Sequence, residues 1–221
     1  MRVAIISGSS KGIGAEIATR LINENYIVYI SGRNKNLCKK LATTLGPNCF
    51  YFCGDLTQSS AIKSFIKLVL KQHKRIDLCI ANLGSGASMG TDPISMHEYE
   101  RLFQLNFFST VELIQSASQH MDQSGHCIAI ASITGVEAIS GAPISYSCAK
   151  SALITFIKTF SKHIASKGIR INSISPGNVL TEGGTWDKKM QESPTKTKTY
   201  ISSHVPLNTF VKAIDIANTV L

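Results

Sequence analysis

Apolar positions along this chain follow two alternating rhythms. Short runs rich in Val, Ile and aromatic residues occupy 3–7 (VAIIS), 26–32 (YIVYISG), 49–53 (CFYFC), 77–84 (DLCIANLG), 126–132 (HCIAIAS) and 169–177 (IRINSISPG). Such runs, bounded by glycine, proline or polar residues, predict strands buried on both faces. Between them the apolar residues return at helical spacing over 14–25, about 35–45, 60–74, about 95–121 and about 145–167. Ile62, Phe65, Ile66 and Val69 make one such stripe, and Ala149, Leu153, Phe156, Phe160 and Ile164 another. Residues 178–205 are polar and expected to be irregular, and 211–221 opens a last helix. Strand and helix therefore alternate. With right-handed crossovers this predicts an α/β fold: a Rossmann-like doubly wound parallel sheet in one domain, residues 1–221. Ligands in such folds bind beyond the carboxyl ends of the strands.

Composition narrows the function. A chain of 221 residues with 43% hydrophobic content can bury one sizeable core. No apolar run approaches the roughly 20 residues that span a bilayer. The first apolar run is too short for a secretory signal, so the expected location is the cytoplasm and no membrane partner is expected. Cys38, Cys49, Cys53, Cys79, Cys127 and Cys148 are scattered, without CxxC or zinc-finger spacing, and read as small buried thiols with no metal site. The net charge of +9 comes largely from lysines on helix faces and in 188–198, with no aromatic-interleaved basic patch. That argues against a nucleic-acid partner and leaves a phosphate-bearing ligand.

Two short stretches carry chemistry. SGSSKGIG (7–14) follows the first strand and opens the first helix, and its glycines Gly8, Gly12 and Gly14 would let a phosphate approach the helix N-terminal amides. Gly8, Ser10, Lys11, Gly12, Ile13 and Gly14 form the candidate cradle. In ISYSCAK (144–150), Tyr146 and Lys150 stand at i and i+4, on one helical face. A free tyrosine, with a pKa of about 10, is a poor base near neutrality. A cation within about 4–6 Å can lower such a pKa by ~1–3 units, and so make the phenol an acid–base catalyst.

The glycine spacing and the Y-x-x-x-K pair together resemble the short-chain dehydrogenase/reductase family, whose loop reads T-G-x-x-x-G-I-G; here Ser7 replaces the threonine. The resemblance covers essentially the whole chain and implies a nicotinamide cofactor. It makes Tyr146 the acid/base, Lys150 the residue that lowers its pKa and holds the ribose, Ser132 the hydroxyl on the substrate oxygen, and Asn106 the support of a proton relay. It places Asp55 and Leu56 at the adenine, and Asn82 and Gly84 in the turn matching N-N-A-G, where Ala81 and Leu83 depart from the pattern. Pro176, Gly177, Val179 and Thr181, in SPGNVLT, would meet the nicotinamide carboxamide. Ser132 is one residue further from Tyr146 than the family's pattern has it, an excess the glycine-rich stretch 133–145 can absorb.

The second strand ends in ISGRN, with Arg33 and no carboxylate, and Lys11 adds a cation; a 2′-phosphate suits these better than a ribose hydroxyl does. The cofactor is therefore expected to be NADP(H), with a small-molecule carbonyl or alcohol as substrate and residues 178–205 as lid, where Trp186, Met190 and Tyr200 are apolar contacts. The alternative is a non-catalytic nucleotide-binding member that acts as sensor or scaffold. The sequence ends in what the resemblance makes the penultimate helix, so the sheet is expected to lack the family's last strand. A homodimer or homotetramer is expected, the dimer through helices 95–121 and 145–167.

Overall fold

The computed structural model describes residues 1–87 and 95–221. Strands β1 (Val3–Ile6), β2 (Ile27–Gly32), β3 (Cys49–Cys53), β4 (Leu78–Ala81), β5 (His126–Ile130) and β6 (Arg170–Ile174) alternate with α1 (Gly12–Asn23), α2 (Lys35–Leu45), α3 (Ser59–His73), α4 (Met96–Phe103), α5 (Ser109–Ser118) and α6 (Ile144–Ile164). The sheet order is β3-β2-β1-β4-β5-β6, and every pair is parallel. The chain thus winds outward twice from β1, once in each direction. The doubly wound Rossmann-like fold is as expected, with β6 at the sheet edge among the described residues.

The apolar runs hide a period of two. Val3 and Ile5 face one side, where α3, α5 and α6 supply Phe65, Val69, Leu113, Leu153 and Ile157. Ala4 and Ile6 face the other, where α1 supplies Ile17 and Leu21, and a last helix α9 (Ala213–Val220) supplies Ile216 and Val220. Both faces are therefore dry, which is why these strands are apolar throughout.

Two expectations need correction. The helix foreseen over 95–121 is interrupted: Gln104–Phe108 form a turn of π-helix between α4 and α5. Residues 178–205 are not irregular either. They hold a short strand β7 (Val179–Leu180) and the helices α7 (Thr185–Glu192) and α8 (Pro194–His204). Pro194 opens α8, where its missing N–H costs nothing. Trp186 stacks on Tyr200 at 5.3 Å between ring centroids, Tyr200 on His204 at 4.4 Å, and Phe210 lies 5.6 Å from Trp186. β8 (Val211–Lys212), where a helix was expected to start, pairs with β7 and ties this unit down.

Cys38, Cys49, Cys79 and Cys127 are buried thiols as expected, whereas Cys53 and Cys148 are exposed; all six are free. No helix among the described residues is long and apolar enough to cross a membrane.

Phe65, fully buried under the sheet, sets a test of this packing. Phe65→Ala is expected to lower unfolding free energy by about 3–5 kcal/mol in urea titrations. Leu37→Ala, at a 41% exposed position, is expected to change it by less than about 0.5 kcal/mol.

Candidate functional site

The loop after β1 adopts the geometry its glycines allow. Gly8 and Gly12 have φ of +59° and +61°, a region that suits glycine. A methyl group on Gly14 would lie 2.6 Å from Asn82 Nδ2 and 2.7 Å from Ser9 Cα. Ile13 packs into the core under α1. The loop is fastened to its neighbours by small hydroxyls. Ser7 Oγ accepts from the amides of Asn82 (2.9 Å) and Leu83 (3.0 Å). Asn82 Nδ2 donates to the carbonyls of Ser7 and Gly8. Ser9 Oγ donates to Ile6 O and accepts from Ser31 N. Sequence reasoning assigned no role to Ser9 and Ser31; their signal was a serine at the carboxyl end of two neighbouring strands.

At the end of β2, Ser10 Oγ stands 2.8 Å from where a side chain on Gly32 would begin. Arg33 is exposed, and among the described residues neither it nor Lys11 has an ion-pair partner. Lys11, the N-cap of α1, reaches toward the lid: its Nζ is 3.6 Å from the position of a Cβ on Gly183. Leu56 is buried. Asp55 Oδ1 accepts from Thr57 N and Oγ1, so that oxygen closes a local turn ahead of α3.

Beyond β6, Pro176 O accepts from Ile133 N at 3.0 Å, and Gly177 has no atom within 4 Å of its missing side chain. Val179 packs at the core edge in β7. Thr181 lies over Gly12, 3.8 Å from the position of its absent Cβ. The segment 176–181 therefore runs across the mouth of the glycine loop.

Asn106, Ser132, Tyr146 and Lys150 gather at the carboxyl ends of β4 and β5. Lys150 is 3% exposed, and its Nζ donates to Ile130 O at 2.8 Å. Burial pushes its pKa down from 10.5 to about 8. The same Nζ lies 5.8 Å from the Tyr146 ring centroid and 3.1 Å from the Cβ position of Gly84. Ser132 Oγ accepts from Thr134 N and Oγ1, and its hydroxyl is near enough to the Tyr146 phenol to favour the phenolate, so the longer Ser132–Tyr146 stretch keeps the pair together. The Tyr146 pKa is raised, not lowered as the sequence suggested. Desolvation of the phenolate by burial outweighs the favourable effect of Ser132, while the Lys150 amine is turned to Ile130.

Asn106 is fully buried on the π turn. Its Oδ1 accepts from Ser85 N (2.9 Å), and its Nδ2 donates to Ser85 O (3.1 Å) and Leu102 O (3.0 Å). The π turn shows in the Ser109 amide, which donates to Gln104 O five residues back, while Ser109 Oγ donates to Leu105 O. Ser85 and Gly86, which line the Tyr146–Lys150 pair, had no motif to mark them. Among the described residues no group of three or more His, Cys, Asp or Glu could hold a metal ion.

The chain is similar to several known proteins. Residues 2–192 match the profile of the short chain dehydrogenase family. An oxidoreductase of Staphylococcus aureus strain USA300 is 32% identical over 183 residues, covering 81% of this chain and 79% of its own. A short-chain dehydrogenase/reductase of Caenorhabditis elegans, solved with cofactor, superposes with a TM-score of 0.89 at 27% identity over 99% of this chain and 86% of that one. The NADP complex of Pseudomonas aeruginosa RhlG superposes with a TM-score of 0.90 at 22% identity, over 99% and 87%.

The buried amine gives a stability test. Lys150 titrates near 8 when folded and near 10.5 when unfolded. Between these values the unfolded chain holds more protons, so this group makes stability rise with pH. Relative to Lys150→Met, the wild type is expected to gain about 3 kcal/mol between pH 8 and 10.5 in denaturant titrations.

Proposed function

The chain belongs to the short-chain dehydrogenase family, a family of oxidoreductases, and from that premise we propose that it interconverts a small-molecule carbonyl and a secondary alcohol with NADP(H). One observation carries this reading: the Tyr146 ring lies 5.8 Å from the buried Lys150 amine, with the Ser132 hydroxyl beside the phenol, at the strand ends that also bear the glycine loop. When bound, the nicotinamide would supply or take up the hydride. The residues present fit such a group. The Gly8–Gly14 loop offers helix N-terminal amides to a pyrophosphate. Lys150 has donors beyond the one it gives Ile130, which suits ribose hydroxyls. Gly177 leaves open space, and Val179 and Thr181 border it from across the loop.

Ser132 would hold the reacting oxygen. In reduction Tyr146 would give that oxygen its proton; in oxidation the phenolate would take the proton back. Burial raises the Tyr146 pKa and so favours the protonated phenol. Asn106 holds the wall of the site through Ser85. Arg33, unpaired at the end of β2, would take a 2′-phosphate, and the NADP complex of the Pseudomonas protein supports that choice. Asp55 and Leu56 would border the adenine. Residues 178–205 would form the substrate lid of a single domain spanning 1–221. Its Trp186 and Tyr200 rings are engaged with each other, which leaves Met190 and the rim of the stack for substrate.

An apolar groove of about 650 Å³ lined by Phe107, Cys148, Ala152 and Phe156, beside the half-exposed Phe108, supports a homodimer through α5 and α6.

Binding followed by nicotinamide fluorescence tests the cofactor: NADPH is expected to bind at least tenfold tighter than NADH, and Arg33→Asp to reverse the order. Tyr146→Phe is expected to lower carbonyl reduction by about 10²–10⁴-fold while NADPH affinity holds within a few-fold. Equal affinity for both nucleotides would remove the Arg33 argument. Tight binding with no turnover of any carbonyl or alcohol would leave a nucleotide-binding protein without catalysis.

A further inference from the structure

The wall beside Tyr146 is a short segment, Gly84–Ala87, held at two points. Asn106 grips Ser85 by both its amide and its carbonyl, at 2.9 and 3.1 Å. Arg101, on α4, holds the other end: its Nη2 donates to Ala87 O at 2.9 Å. The same guanidinium makes two 2.7 Å bonds to Glu98, Nε to Oε2 and Nη2 to Oε1, and Glu98 is only 4% exposed. A planar guanidinium fixed on a buried carboxylate points its remaining direction rigidly.

Between the two grips, the glycines lie beside the reacting groups. The Cβ position of Gly84 is 2.8 Å from Asn106 Oδ1 and 3.1 Å from Lys150 Nζ, so a side chain there would be crowded by both. A methyl on Gly86 would meet three atoms of the Tyr146 ring at an ordinary contact distance of 3.7–3.8 Å, so the segment runs alongside the phenol. The ring's seat is therefore set by how firmly the segment is held. The polar groups facing Tyr146 are Ser132 from the turn after β5 and Lys150 from its own helix.

We propose that Arg101 is a positioning residue for Tyr146: by tying Ala87 to Glu98 it keeps the Gly84–Ala87 segment against the phenol ring and the Lys150 amine. This rests on the reading of Tyr146 as the acid/base. Arg101 is about two-thirds buried and touches neither Tyr146 nor Lys150 in any hydrogen bond or ring contact. Its influence passes through backbone alone.

Arg101→Lys keeps a cation against Glu98 but cannot grip a carboxylate with two nitrogens and a carbonyl in fixed directions. The double variant Glu98→Gln/Arg101→Gln removes the pair without leaving a buried charge unpartnered. Tyr146 ionisation is read from phenolate ultraviolet absorbance, as the difference between each protein and its Tyr146→Phe counterpart. In the wild type the midpoint is expected above 10. In both variants it is expected to fall by about half a unit or more toward the free tyrosine value, because a loosened segment lets water reach the ring. The thermal midpoint and NADPH affinity are expected to stay within a few degrees and about twofold, while kcat for carbonyl reduction drops about tenfold with KM little changed. An unshifted Tyr146 midpoint in both variants would overturn the proposal, as would a shift that follows loss of folded protein. The titration needs no turnover, so it answers even if no carbonyl is reduced.

Discussion

Lysine amines are costly to bury, and Lys150 is buried almost completely with Ile130 O as its hydrogen-bonded acceptor in the protein. The cost appears in its pKa, displaced from 10.5 to about 8 by desolvation. Much of the surrounding structure follows from placing that group. Ile130 ends β5, so its carbonyl is free for the amine only because the sheet stops there. Gly84 must lack a side chain, since one would meet Nζ and Asn106 Oδ1 together. Asn106, on the π turn, reaches Ser85 and also bonds the Leu102 carbonyl. Three elements, β4, β5 and α6, are thereby held at a common level, where the glycine loop also ends.

Tyr146 feels the same dryness in the opposite sense. Burial disfavours phenolate and ammonium alike, so the phenol rises as the amine falls. Motif reasoning stresses the attraction between the charged forms and expects a lowered phenol. In this geometry desolvation outweighs the favourable effect of the Ser132 hydroxyl on the phenolate. Both groups are therefore pushed toward their neutral forms.

The fold was legible because its signals are local and repeated: six apolar runs, each closed by glycine, proline or a polar turn, with helical stripes between them. The strand boundaries moved by a few residues, and the sheet order followed from connection rules. Elements stabilised by side-chain partners were harder to read. The π turn at Gln104–Phe108 leaves no compositional mark, since the helical stripe continues through Leu102 and Leu113. Helices α7 and α8 are polar, and they hold together by aromatic stacking that a periodicity reading does not register. Within the candidate site, the residues that carry a spacing motif could be named from the sequence. Ser9, Ser31, Ser85 and Arg101 were not, because each acts on backbone brought near by the fold.

The cations beside the glycine loop divide between two sides. Arg33 belongs to the sheet side, next to Ser10 and Gly32, anchored by the paired end of β2 on β3. Lys11 is at the N-terminus of α1 but leans toward Gly183, whose amide donates to Asp187. An anion lying along the glycine loop would meet both. A charge held by Arg33 would meet a planar fork of donors that selects by geometry, whereas one shared with Lys11 would meet a flexible ammonium whose hydration favours adjustment over geometry.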